Sequence, residues 1–263
     1  MNMKKITLLA ICIAAFGAVS YAQNGKYKIS PFVSPNVSWM TPDQKFIESN
    51  GSVPRFGFGL MVDVMFTDNY AIGTGLHVTR MGGELTYLEL TNYSDLPVIL
   101  ERQRTYQLQY AEVPLTLKLR TNEIGYITYW GQFGLGLGVN IRAKADDAID
   151  YLYEKKIVDG QVVMPWPDAT LSSEVIEDED IKNDINIFRA SLIVGGGIEY
   201  NVSGNTSIIA GIVFNNGFTN VLKGEGVRTD NAELVEYNSE KEPVMYDLKA
   251  ISNFIELKIG VLF

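Results

Sequence analysis

From Ile127 to Ile141 the chain alternates without a break. Ile127, Tyr129, Gly131, Phe133, Leu135, Leu137, Val139 and Ile141 fall on one side, and Thr128, Trp130, Gln132, Gly134, Gly136, Gly138, Asn140 and Arg142 on the other. A period of two places the sets on opposite faces of a strand, and the glycine content argues against helix. If the second face met water it would carry Lys, Glu or Thr. Glycine there costs stability and gains nothing from solvent. A small barrel fits both faces: lipid touches the apolar side, and the cramped interior needs small residues beside large ones.

The same alternation predicts eight strands, at 27–40, 54–66, 70–82, 105–120, 126–143, 187–202, 206–220 and 249–263. Long connections (41–53, 83–104, 144–186, 221–248) alternate with the short turns "TDN" (67–69), "TNEIG" (121–125) and "SGN" (203–205). That rhythm is the one outer-membrane barrels show. The fold expected is all-β: an eight-stranded antiparallel up-and-down transmembrane β-barrel with short periplasmic turns and long external loops. Phe66, Tyr70, Tyr126, Tyr129, Tyr200 and Phe263 cluster near the short-turn ends, either as an interfacial girdle or through ordinary strand preference. Pro31 and Pro35 predict a bulged or shortened first strand. In the fourth strand the apolar parity switches from Tyr106, Leu108, Tyr110 to Val113, Leu115, Leu117, Leu119, which predicts a bulge near Ala111.

Residues 1–22 read as a signal peptide: Lys4 and Lys5 precede an apolar run, Ile6 to Val19, and Ser20 and Ala22 provide the small residues for cleavage. The barrel domain is then 23–263. Cys12, the sole cysteine, lies in the leader, so disulfides, thiolate metal sites and a cysteine nucleophile are not expected in the mature chain. The formal charge of −9 becomes more negative once the two leader lysines are removed, which disfavours nucleic acid as a partner.

Face assignment sends Asp63, Glu112, Lys118, Gln132, Arg142, Arg189, Glu199, Glu256 and Lys258 into the lumen. Mixed signs predict a paired, hydrogen-bonded plug rather than a selectivity ring, and eight strands leave no open channel.

The stretch "YAEVPLTLK", with Tyr110, Glu112, Pro114, Leu115 and Lys118, resembles the signature of the Bacteroidetes-type outer-membrane β-barrel family, labelled porin-like or PorT-like. "NNGFTNV" (215–221) is similar to that family's seventh-strand stretch, and "IELKIGVLF" looks like a barrel-assembly signal ending at Phe263. The resemblance implies an outer-membrane barrel and little about activity. One branch of the family is associated with protein export.

His77, the single histidine, shares a face with Thr79. A lipid-modifying enzyme would also need an orienting carboxylate and a groove, so no catalytic residue is assigned. The segment 144–186 is acidic (Asp146, Asp147, Asp150, Glu154, Glu174, Glu177, Asp178, Glu179, Asp180, Asp184). Its spacing does not match an EF-hand, and a solvated loop is preferred to a calcium site. No cofactor and no metal is expected. The expected partners are outer-membrane lipid and, during biogenesis, the barrel assembly machinery; the external loops' partner is left open. Alternatives are an accessory of a type IX-like export system, a lipid-modifying enzyme at His77, and a soluble lipocalin-like barrel.

Overall fold

The computed structural model describes residues 26–93, 96–151, 156–158, 161–163, 172–228, 236, 238–239 and 243–263. The expected leader and Glu154 lie outside them. Strands run in chain order β1 (Tyr27–Pro42), β2 (Glu48–Thr67), β3 (Tyr70–Met81), β4 (Glu84–Tyr93), β5 (Leu96–Arg120), β6 (Ile127–Tyr151), β7 (Lys156–Val158), β8 (Gln161–Val163), β9 (Ser172–Asp180), β10 (Phe188–Ser203), β11 (Thr206–Gly217), β12 (Glu225–Val227), β13 (Met245–Asp247) and β14 (Ala250–Leu262). Eight of them close a ring, each antiparallel to the next: β1, β2, β3, β5, β6, β10, β11, β14 and back to β1.

The three short turns expected from the sequence lie at one end. β2 turns into β3 through Asp68–Asn69, and β10 into β11 through Gly204–Asn205, where Gly204 takes a φ of +56°. At the other end, much of 41–53, 83–104 and 144–186, expected as loops, is strand, whereas the described part of 221–248 is strand only at Glu225–Val227 and Met245–Asp247. β4 continues β3 along β5: Met81 faces Leu108 and Glu84 faces Thr105 in one register. Between them a Cβ on Gly82 would stand 1.9 Å from the Tyr106 carbonyl oxygen, so only glycine fits that close approach. β9 pairs with the far half of β6. β5 and β6 reach 25 residues each, more than twice the roughly 9–11 that a tilted strand needs to span a bilayer.

The expected bulge near Ala111 is absent. Every even-numbered residue of β5 from Arg104 to Lys118 faces inward. The surroundings change instead. Toward the short turns, Leu119, Leu115 and Val113 are exposed outside while Lys118, Thr116 and Glu112 are buried inside. Past Ala111 the chemistry inverts: Tyr110, Leu108 and Tyr106 form the interior, and Gln109, Gln107 and Thr105 face out. The inverted half holds an apolar core of Met40, Met81, Leu85, Tyr87, Leu108 and Phe254, closed by Ile181, Ile185, Leu222 and Leu248 from the long connections. Full burial of such a side chain contributes about 1.5–3 kcal/mol.

The register irregularity sits on β6. Gln109 faces Arg142 and Tyr110 faces Asn140, leaving Ile141 as the extra residue. Nor do the prolines shorten or bulge β1. Pro31 and Pro35 pair with Leu60 and Phe56 of β2, while on the β14 side the register holds but the pairs at both prolines are skipped. Their missing N–H groups are thus directed to one joint of the ring.

Below the inversion the outer wall is apolar around the ring, including Val33, Phe58, Leu76, Leu115, Leu135, Val194, Ile212 and Leu257. Tyr27, Phe66, Tyr70, Tyr126, Tyr129 and Tyr200 are exposed at the short-turn edge, Tyr126 and Tyr200 with ring centroids 6.3 Å apart. At the opposite edge Trp39 stacks on Phe214 at 6.1 Å, near exposed Phe188 and Phe218. Aromatic belts at both edges favour the girdle over simple strand preference.

Candidate functional site

The interior of the ring is a set of ion pairs stacked along the axis. Nearest the short turns, Lys118 Nζ donates to Asp63 Oδ2 at 2.7 Å and lies 2.9 Å from Glu199 Oε1. Arg120 also donates to Glu199, from Nε at 3.1 Å and from Nη2. Lys118 sits 5.3 Å from the centroid of the Trp130 ring, and Lys258 lies 4.3 Å from that of Phe32. Gln132, on the residue of β6 facing Lys118, is buried at the same level.

Deeper in, Arg189 Nη1 donates to Glu112 Oε2 at 2.8 Å, and neither side chain has any exposed surface. Asn215 donates to Glu112 Oε1 at 3.1 Å and accepts from Arg189 Nη2 at 2.6 Å. Ser191 Oγ adds a bond to Glu112 at 3.2 Å, and the Ser252 carbonyl accepts from Arg189 at 2.9 Å. Glycine makes this possible: a Cβ on Gly136 would meet Glu112 Cδ at 2.5 Å, and one on Gly211 would meet the Trp130 ring at 2.3 Å. The bare track noted in the sequence is the space these side chains occupy.

The two family-like stretches meet here. Glu112 comes from the first and Asn215 from the second, and the rest of the second fixes backbone. Thr219 Oγ1 accepts from the Ala190 N–H at 2.9 Å, and Asn220 bonds the Leu222 and Leu248 carbonyls and the Ala250 N–H. Tyr110, from the first stretch, donates to the Asn186 carbonyl at 3.2 Å.

Asp63, Glu112, Lys118, Gln132, Arg189, Glu199, Glu256 and Lys258 thus face inward as expected. Arg142 does not. The extra residue at Ile141 turns it outward, with its side chain 51% exposed and 3.6 Å from Asp178. Phe263 exchanges backbone hydrogen bonds with Ile29, completing the β1–β14 joint.

His77 is buried between Phe32 and Phe254, at ring separations of 5.2 and 6.4 Å. A carboxylate does stand beside it, Glu256 at 3.4 Å, and Ser34 Oγ lies 3.1 Å away, but both reach the same ring nitrogen, Nε2. In a nucleophile–base–acid relay the hydroxyl and the carboxylate occupy opposite nitrogens. This arrangement is a packed polar contact inside a closed lumen.

A second network lies beyond the apolar wall. Arg104 donates to both oxygens of Asp147, at 2.7 and 2.6 Å, and reaches Glu179 at 3.2 Å and Asp184 at 3.0 Å; Arg102 pairs with Asp147 and with Glu89. Burial alone pushes the Asp147 carboxyl up, but the hydrogen bonds and charge of Arg104 outweigh it and hold it below the ordinary carboxylate range. Glu179 moves the other way, raised by burial and by Asp147. Part of the acidic segment expected as a solvated loop is therefore folded around two arginines. No cluster of three or more metal-capable side chains occurs among the described residues.

Sequence reasoning missed Ser34, Asn215, Ser252 and Arg120 in the lower lumen, and Arg102 and Arg104 in the network beyond the inversion. Asn215 alone carried a signal, through its place in the second stretch. The partners are remote in sequence: Asn215 and Glu112 are separated by 103 positions.

A closed antiparallel ring with a filled, charge-paired lumen and an apolar outer wall defines a barrel of the outer-membrane class. Residues 21–223 match the family described as outer membrane protein beta-barrel domain. The chain belongs to that family, which places it in the outer membrane. Among solved structures it is similar to Neisserial surface protein A, at 11% identity over 90% of this chain and 96% of that one, with a TM-score of 0.44. It is also similar to OprG from Pseudomonas aeruginosa (10%, 90% and 95%, 0.39) and to Ail of Yersinia pestis (16%, 90% and 97%, 0.31). No curated protein matches it.

Proposed function

We propose that the eight ring strands cross the outer membrane with the short turns in the periplasm, and that the protein acts without enzymatic activity, as a structural or recognition scaffold. Its working surface is the strand-built extension above the outer leaflet. Export through a leader ending at Ala22 delivers it, and its two family-like stretches support a place among the porin-like or PorT-like barrels. The observation that carries this reading is the inversion along β5, because a wall that is apolar outside at one level and apolar inside at the next fits a barrel leaving lipid for water. The lumen is filled at both levels, by ion pairs below and by the apolar core above. Purified protein inserted into planar bilayers is expected to give no steady conductance. Sustained ohmic currents of porin size would contradict a sealed scaffold.

A further inference from the structure

We propose that the outer wall carries a binding site for the phosphate group of an outer-leaflet lipid, built from Arg55, Arg80 and Arg142; this rests on the membrane placement proposed above. Arg80, Gln109 and Arg142 are direct neighbours across β3, β5 and β6, and all three face outward. At a strand spacing of roughly 4.8 Å, the two arginine backbones stand about 10 Å apart, close enough for their side chains to converge on one anion. Arg55 enters from β2, where Nη2 donates to the Tyr106 carbonyl at 3.1 Å while its buried Nε has no partner. Together they line a cavity of about 370 Å³ on the wall.

The charge around this cavity is only partly compensated. Asp146, a carboxylate on the same face that acts electrostatically on Arg55, also accepts from Gln107 at 2.6 Å and from the Asp178 N–H at 2.8 Å. Asp178 is engaged by Lys144 and stands 3.6 Å from Arg142, with both side chains half exposed. Arg80 has no ion pair among the described residues. Guanidinium forks match phosphate oxygens geometrically. What selects a lipid over free phosphate is the position. The row lies where the outer wall passes from apolar to polar, and Phe56, Val78, Ala111 and Ile141 lie just below it, where acyl chains would run.

The test uses the full-length protein purified in detergent, with bound lipid counted by native mass spectrometry. The probes are bisphosphorylated lipid A, the same lipid stripped of phosphate, and inorganic phosphate as competitor. Arg80→Gln and Arg142→Gln should each reduce retention of the phosphorylated lipid about tenfold, the scale of one lost charge-assisted hydrogen bond. The double variant should bind it as weakly as the parent binds the stripped lipid, Lys182→Gln should match the parent, and equimolar inorganic phosphate should displace nothing. Equal retention of the two lipids by the parent, full retention by the double variant, or displacement by inorganic phosphate would overturn the site. Heat-modifiable gel mobility is read alongside. A parent without a folded, membrane-derived band would count against the barrel placement itself, whereas a folded parent indifferent to phosphate counts only against the site. If the double variant does not fold, the comparison of the two lipids on the parent decides.

Discussion

Glu112→Ala should destabilise the barrel by about 3–5 kcal/mol, because it leaves the Arg189 guanidinium buried without its carboxylate. Both side chains are wholly enclosed, and Asn215 and Ser191 lose a shared acceptor in the same step. Replacing both charges, as Glu112→Leu with Arg189→Met, should recover most of that loss, since an apolar pair of similar volume removes the desolvation penalty along with the attraction. Denaturant unfolding in lipid bilayers followed by tryptophan fluorescence reads both. If Glu112→Ala came within about 0.5 kcal/mol of the parent, the range of an ordinary surface change, the interior network would not be what holds this level of the barrel.

The second large effect contrasts two outward residues of one strand. Leu115→Arg places a charge near the middle of the apolar wall and should cost about 2–4 kcal/mol, as charged substitutions do at the bilayer midplane. Thr105→Arg, outward on the same β5 but beyond the inversion, should stay within about 0.5 kcal/mol of the parent. Leu108→Ala, inward and fully buried at the upper level, should cost about 2–5 kcal/mol through lost packing. One alternation thus carries opposite sensitivities at its two ends. Equal tolerance of arginine at 105 and 115 would show that both positions meet the same solvent.

Alternation revealed the strands of the lower barrel because lipid on one side and a cramped lumen on the other impose a strict period of two. The glycine track was legible for the same reason: Gly136 and Gly211 are small because Glu112 and the Trp130 ring need their space. Alternation does not say which side is outside, however. At Tyr106, Leu108 and Tyr110 the change of face looked like a bulge because the switch of solvent along the strand was invisible. β9 reads "SSEVIEDED": its only apolar residues, Val175 and Ile176, are adjacent and so fall on opposite faces, with Val175 exposed and Glu179 reaching Arg104, so it lacked an alternating apolar signal and passed for a loop. Arg142 failed through one backbone residue, Ile141, whose insertion reverses parity locally. The lumen charges were identifiable one at a time, but their pairing was not, because register across the ring brings Glu112 to Arg189 and Glu256 to His77.

The most direct measurement is the depth profile of β5 in lipid. Since Cys12 is the chain's only cysteine, nitroxide labels can be placed singly at outward positions 103, 105, 107, 109, 111, 113, 115, 117 and 119, and their relaxation by oxygen compared with that by a water-soluble nickel chelate. Labels from 111 to 119 should favour oxygen and labels from 103 to 109 the chelate, with the crossover between Gln109 and Ala111. Chelate accessibility continuing to position 119 would mean that no hydrocarbon touches this wall.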